Sequence, residues 1–191
     1  MEVERHPFEP FLPEGAVVLF LGSFPPQEKR WCMPFYYPNW QNDFWRVCGL
    51  VFFDDRDHFV VAGEKRFDMD RIQAFCVGKG MALFDTATSV RRLQDNASDK
   101  FLEVVEPTDI SALLNRIPSC RAVVTTGQKA TDVLTERYGC EAPAVGESVV
   151  IRIDGRALRF FRMPSTSRAY PLSLEKKAAA YRRLFEALSL L

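Results

Sequence analysis

Residues 16–45, AVVLFLGSFPPQEKRWCMPFYYPNWQNDFW, decide how the rest of the chain is read. The stretch opens with six apolar residues, 16–21, short and β-branched enough for a strand buried on both faces. Gly22 ends the run. Ser23-Phe24-Pro25-Pro26 continues neither a strand nor a helix, because each proline lacks an N–H and fixes φ. A long loop follows with Trp31, Phe35, Tyr36, Tyr37 and Trp40, until Asn42 opens a helix at Asp43-Phe44-Trp45. A buried strand emptying into an aromatic, asparagine-bearing loop is how open α/β sheets build a ligand crevice at their strands' carboxyl ends. A single ring in such a loop belongs more often to a core than to a site. Five rings within ten residues, flanked by prolines, exceed what one short loop buries, so some are expected to line a concave surface.

Working outward, Asn42 is a good N-cap, and Phe44, Val47, Cys48 and Val51 recur at helical spacing. Asp68 or Asp70 caps a second helix through Ile72, Phe75, Cys76 and Lys79, stopped by Gly80. Residues 81–84 form a second apolar strand ending at Asp85, and residues 86–100 are polar and read mostly as loop. Pro107-Thr108-Asp109 begins a third helix closed by Pro118; residues 122–125 are a third strand, and Gly127 introduces a helix running to Gly139. Residues 149–153 and 158–161 flank Asp154-Gly155, a strong two-residue hairpin signal. A punctuated loop, 162–171, leads to a last helix from about Ser173. There Leu174, Ala178, Tyr181, Phe185 and Leu188 share one face, and Lys176, Lys177, Arg182 and Arg183 are read as its solvated side. Alternating strands and helices predict a single three-layer αβα domain around a mostly parallel sheet.

The chain's 191 residues suffice for a sizeable core, and 47% hydrophobic content excludes extensive disorder. Formal net charge is zero, so a nucleic-acid partner must be met by a local patch. No apolar run approaches a membrane span, and MEVERHPFEP has acids where a signal peptide has basic and apolar regions. The five cysteines, Cys32, Cys48, Cys76, Cys120 and Cys140, are scattered without a CxxC, which predicts a reduced, cytoplasmic protein. His6 and His58 are far apart and are read as surface or structural residues, leaving little material for a metal site or a Ser/His triad.

Three loops follow predicted strands and share one sheet edge: 22–41, Asp85 onward, and Thr125-Thr126-Gly127-Gln128-Lys129. The last is a strand-to-helix turn whose free N–H groups suit an anion, with Lys129 adding charge; a helix capped for its own stability is as good a reading. A fourth loop, Met163 to Pro171, carries Ser165, Thr166, Ser167 and Arg168 between prolines. Hydroxyls and N–H groups in a rigid turn suit phosphate contact, and Arg168 is long enough to probe a base stack; a turn bonding to itself is the alternative.

A strand, then Gly-Ser-Phe-Pro, Tyr-Tyr and Asn-x-Phe-Trp, with Met-Pro-Ser-Thr-Ser near the C-terminus, resembles the uracil-DNA glycosylase superfamily. The order of elements matches from about Val17 to the last helix. Mismatch-specific members of that superfamily carry Gly-x-Asn-Pro-Gly after the first strand, whereas this chain has Phe24 in place of the asparagine. Phenylalanine neither orients water nor hydrogen-bonds a leaving base. The combination with Gly-Ser-Phe-Pro is similar to the hypoxanthine-DNA glycosylase branch, where the asparagine of Asn-x-Phe-Trp is assigned catalytic importance; here it is Asn42. Ala82-Leu83-Phe84-Asp85 followed by Ser98-Asp99 also looks like that branch.

The resemblance implies a monofunctional DNA glycosylase that removes a flipped, deaminated base, hypoxanthine before uracil. Its alternatives are a uracil or G·T/U mismatch glycosylase and a catalytically silent relative that binds nucleic acid. Asn42 would position water or donate to the leaving base, and Asp85 would activate water or stabilise oxocarbenium charge, unless it is paired with Arg91 or Arg92. Ser23, Phe24 and Tyr37 would contact the base, with Tyr37 stacking on it. Lys129, Ser165, Thr166, Ser167 and Arg168 would contact DNA. The expected partner is DNA holding a damaged or deaminated base, met by a monomer with no membrane association, metal or cofactor.

Overall fold

A two-residue strand, β1 (Glu4–Arg5), precedes the expected buried strand, β2 (Val18–Gly22). The chain then runs through α1 (Phe44–Phe53), α2 (Met69–Lys79), β3 (Met81–Asp85), β4 (Ala87–Arg92), β5 (Leu102–Pro107) and α3 (Ile110–Arg116). It continues with β6 (Ala122–Thr126), α4 (Gln128–Tyr138), β7 (Ser148–Ile153), β8 (Arg156–Met163) and α5 (Leu174–Ala187). The computed structural model describes residues 2–95 and 98–191.

The main sheet has the order β3-β2-β6-β8-β7, parallel except for the β7 edge. The β7–β8 hairpin turns at Asp154-Gly155, both with positive φ (50° and 77°), which is why the Asp-Gly pair marked it. Phe20 faces α1 and α5, its ring 5.5 Å from Phe44 and 5.9 Å from Phe185. The next residue, Leu21, points to the other face together with its register partner Thr125. Thr125 Oγ1 meets Thr131 Oγ1 of α4 at 2.8 Å, so α4 covers the opposite side and the expected three layers are present.

Most helix ends follow their capping residues. Asp68, Asp109 and Ser173 accept from backbone N–H groups of α2, α3 and α5, and Gly80 and Gly139 close α2 and α4 in left-handed conformation. Asn42 differs by one place. The α1 N-cap is Asp43, but the Asn42 side chain still accepts from the Phe44 N–H at 3.0 Å.

The loop expected at 86–100 is a correction. β4 pairs antiparallel with β5 and with β1, forming a second, three-stranded sheet. Its apolar cluster is Ala87, Val90 and Leu102 with Phe24, too few apolar positions to reveal a strand among Thr88, Arg91 and Arg92. Of the stretch read as loop, Asn96 and Ala97 lie outside the described residues. No helix among the described residues is long and apolar enough to cross a membrane.

Candidate active site

The carboxyl ends of β2, β3 and β6, together with the segment after β8, surround a cleft of about 490 Å³. Nine of the ten residues singled out from the sequence line it: Ser23, Phe24, Tyr37, Asn42, Asp85, Ser165, Thr166, Ser167 and Arg168. That volume lies in the range of small-ligand pockets. Lys129 does not line the cleft. It stands half-buried in the first turn of α4.

Asn42 is joined directly to the Ser-Thr-Ser-Arg loop. Its backbone bridges Ser167, the Asp43 N–H donates to Thr166 O at 2.8 Å, and the Arg168 N–H donates to Gln41 O at 3.2 Å. The carboxamide oxygen accepts twice, from the Phe44 N–H at 3.0 Å and from the Thr166 hydroxyl at 2.8 Å. A backbone N–H can only donate, so the oxygen is fixed on that side and the NH2 group on the other. Among the described residues that NH2 group has no hydrogen-bond partner, in a side chain that lines the cleft. Asn42 presents a donor to whatever enters.

Asp85 ends β3 beside Gly22, its register partner on β2. A Cβ at Gly22 would lie 2.5 Å from Asp85 Oδ1, so glycine is required there for the carboxylate to cross the strand end. The other oxygen meets His6 Nε2 at 2.8 Å. The expected pairing with Arg91 or Arg92 is absent: Arg91 meets Glu103, while Arg92 takes Glu4 and Pro25 O. His6 Nδ1 lies 3.1 Å from the Phe8 N and 2.9 Å from Phe8 O, so the ring is held at both nitrogens. Read from the sequence as a surface or structural residue, His6 is a buried support of the candidate site. No local pattern could link positions 6 and 85.

A second carboxyl faces the same cleft. Asp99 is hydrogen-bonded by the Ser23 side chain, and burial of its carboxyl pushes its pKa up, with the nearby charge of Asp85 adding to the rise.

The aromatic loop packs mostly inward. Tyr36 is buried, its hydroxyl donating to Glu9 O at 2.7 Å, while the Trp45 N–H donates to Tyr36 O at 3.0 Å. Tyr37 takes a left-handed backbone (φ 51°) and stacks flat on Phe44, centroids 3.9 Å apart, and shares a hydrogen bond with Thr126 Oγ1 at 3.0 Å. One face of Tyr37 is thus spent on the core while the residue still borders the cleft. Phe24 also borders it but is only 8% exposed, because its ring fills the small sheet and meets His6 edge-on at 5.2 Å.

Three cations converge on the buried carboxylate of Asp43: Arg46 at 3.4 Å, Arg168 at 3.2 Å and Lys177 at 3.7 Å. Lys177 also donates to Ser167 O at 2.8 Å. It is 1% exposed, which corrects its placement on the solvated side of α5; burial lowers its pKa. Its stem reaches under the loop, and the charge is accommodated by Asp43 and a carbonyl.

A solution NMR structure described as a "putative Uracil DNA glycosylase", from Methanosarcina acetivorans, is similar over 98% of this chain and 99% of that one. The TM-score is 0.65 and the sequence identity 21%. The fold is uracil-DNA glycosylase-like. No protein-family model matches the chain, and no curated protein does.

Within that fold, the sequence reading brought Asn42, Asp85, Tyr37 and the 165–168 loop to one cleft. It gave Asp99 no role and missed His6, Asp43 and Lys177. Among the described residues, no group of three or more His, Cys, Asp or Glu side chains is placed to hold a metal ion.

Proposed function

We propose that the protein is a monofunctional DNA glycosylase, acting as a single-domain monomer on an extruded deaminated base, hypoxanthine in the first place. The observation that carries the reading is the Asn42 carboxamide, its oxygen committed to Phe44 and Thr166 and its NH2 group without a protein partner at the cleft. Hydrolysis of an N-glycosidic bond leaves electron density on the departing base and positive charge at the sugar carbon. A fixed amide donor answers the first. Asp85, whose carboxylate ends the neighbouring strand, answers the second and can take a proton from the attacking water. Tyr37, backed by Phe44, offers a rigid surface against which an extruded base stacks. The 165–168 loop, tied to Asn42 by the Thr166 hydroxyl, couples DNA contact to the amide's orientation.

The preference for hypoxanthine rests on the resemblance of the Gly-Ser-Phe-Pro and Asn-x-Phe-Trp segments. Uracil is the second reading, favoured by the description of the Methanosarcina acetivorans neighbour. Labelled duplexes bearing hypoxanthine, uracil, xanthine or a G·T mismatch, treated with alkali to cut abasic sites, test both. Release of hypoxanthine fastest is the expected result, with strands intact until alkali is added. Release of uracil alone favours the second reading. Binding without release from any duplex identifies a silent nucleic-acid-binding relative.

A further inference from the structure

Two carboxyl groups line the cleft, and their surroundings differ. Asp85 meets His6 Nε2 at 2.8 Å. Asp99 is desolvated at its carboxyl, hydrogen-bonded by Ser23, and within electrostatic reach of Asp85, with Arg92 and Lys129 the cations that bear on it. Burial outweighs the Ser23 bond and the two cations, so its pKa stands above the ordinary 3.8. Paired carboxyls in unlike environments divide acid and base roles. Asn42 can donate a hydrogen bond to a departing base, but an amide has no proton to give away. A purine leaves most readily once a ring nitrogen is protonated, and a protonated Asp99 at the same cleft can supply that proton.

We infer that Asp99 is the general acid of the reaction, passing its proton to the extruded base as the glycosidic bond breaks. The inference rests on the glycosylase reading above. The bond between base nitrogen and C1′ breaks with its electron pair on the base, which takes the Asp99 proton and leaves neutral. Water adds its oxygen to C1′ and gives up one proton, which Asp85 accepts and solvent returns to Asp99. One water is consumed and one base released.

The test follows single-turnover base release across pH by wild type and Asp99→Asn, on whichever duplex wild type cleaves fastest. Alongside it, a carbon-detected NMR titration of free wild-type protein reads the Asp99 carboxyl directly, by through-bond assignment. Wild-type rate is expected to fall as pH rises through the Asp99 titration, because the protonated form is the active one. Asp99→Asn is expected to be slower by about a hundredfold or more and to lack that alkaline limb. A folded Asp99→Asn that keeps the wild-type rate or the limb overturns the assignment and leaves the glycosylase reading intact. An Asp99 signal titrating at or below 3.8 overturns it without reference to activity. Wild type that releases no base removes the glycosylase reading, and the inference with it.

Discussion

The carboxamide of Asn42 combines two roles that substitution can separate. Its oxygen caps α1 and ties down Thr166, while its NH2 group is the donor offered to the cleft. Asn42→Asp keeps the acceptors, so the fold should hold while the donor is lost; Asn42→Ala loses both, at a stability cost of ~1 kcal/mol. In single-turnover assays Asn42→Ala should cut base release by roughly two decades or more, the scale of removing one transition-state donor. Near-wild-type release by folded Asn42→Ala would move attention to Asp85. At Tyr37 the ring matters more than the hydroxyl. Tyr37→Phe should keep most activity and lose ~1 kcal/mol with the Thr126 bond. Tyr37→Ala should lower activity by about one to two decades, since stacking a base is worth roughly 1–3 kcal/mol; a melting curve separates that from the cavity left against Phe44. Asp99 gives a stability signature. The folded protein keeps a proton there at pH values where the unfolded chain has released it, so the unfolded state binds fewer protons in that interval. Stability should therefore fall as pH rises from 3.8 through the folded value, and Asp99→Asn should lack that share of the decline. Denaturant titrations of both proteins at several pH values measure it, and a pH-independent difference would show that the carboxyl is solvated.

The buried parallel strands of the main sheet were legible from the runs at 16–21, 81–84 and 122–125, which overlap β2, β3 and β6. The helices were legible from their caps. The small sheet was not, since β4 and β5 carry few apolar residues and set charges among them, Arg91 and Arg92 on β4 and Glu103 and Glu106 on β5. The candidate site divided in the same way. Residues in strand-end loops stood out by composition, whereas His6, Asp43 and Lys177 acquire their roles only from contacts made across the fold. Lys177 shows what α5 contributes: its ammonium holds the 165–168 loop against α1 through Ser167 O and Asp43. Lys177→Met removes that tie and leaves the Ser167 carbonyl without its buried donor, which should destabilise by about 1–3 kcal/mol. Arg46 and Arg168 still neutralise Asp43, so the loss stays below that of an orphaned buried charge. An unchanged melting temperature in Lys177→Met would make the tie dispensable.

For the whole molecule, zero net charge means that the DNA association proposed above would draw on a local cluster of cations. Arg168, on the loop beside Asn42, should carry more of it than Lys129, which does not line the cleft. Arg168→Ala should flatten the log–log salt dependence of binding by about one unit, and Lys129→Ala by less. Equal slopes in wild type and Arg168→Ala would put the DNA on another face. The amino-terminal segment has a consequence of a more practical kind. β1 pairs with β4, Phe11 exchanges backbone bonds with Leu83 at 3.0 and 2.9 Å, and between them His6 grips Asp85. A dozen residues thus fasten the far side of the cleft from outside the main sheet. A protease nick or a crowded fusion tag at that end would spare the circular dichroism spectrum and unfasten the carboxylate, so two preparations differing only in their first residues would look alike and turn over differently.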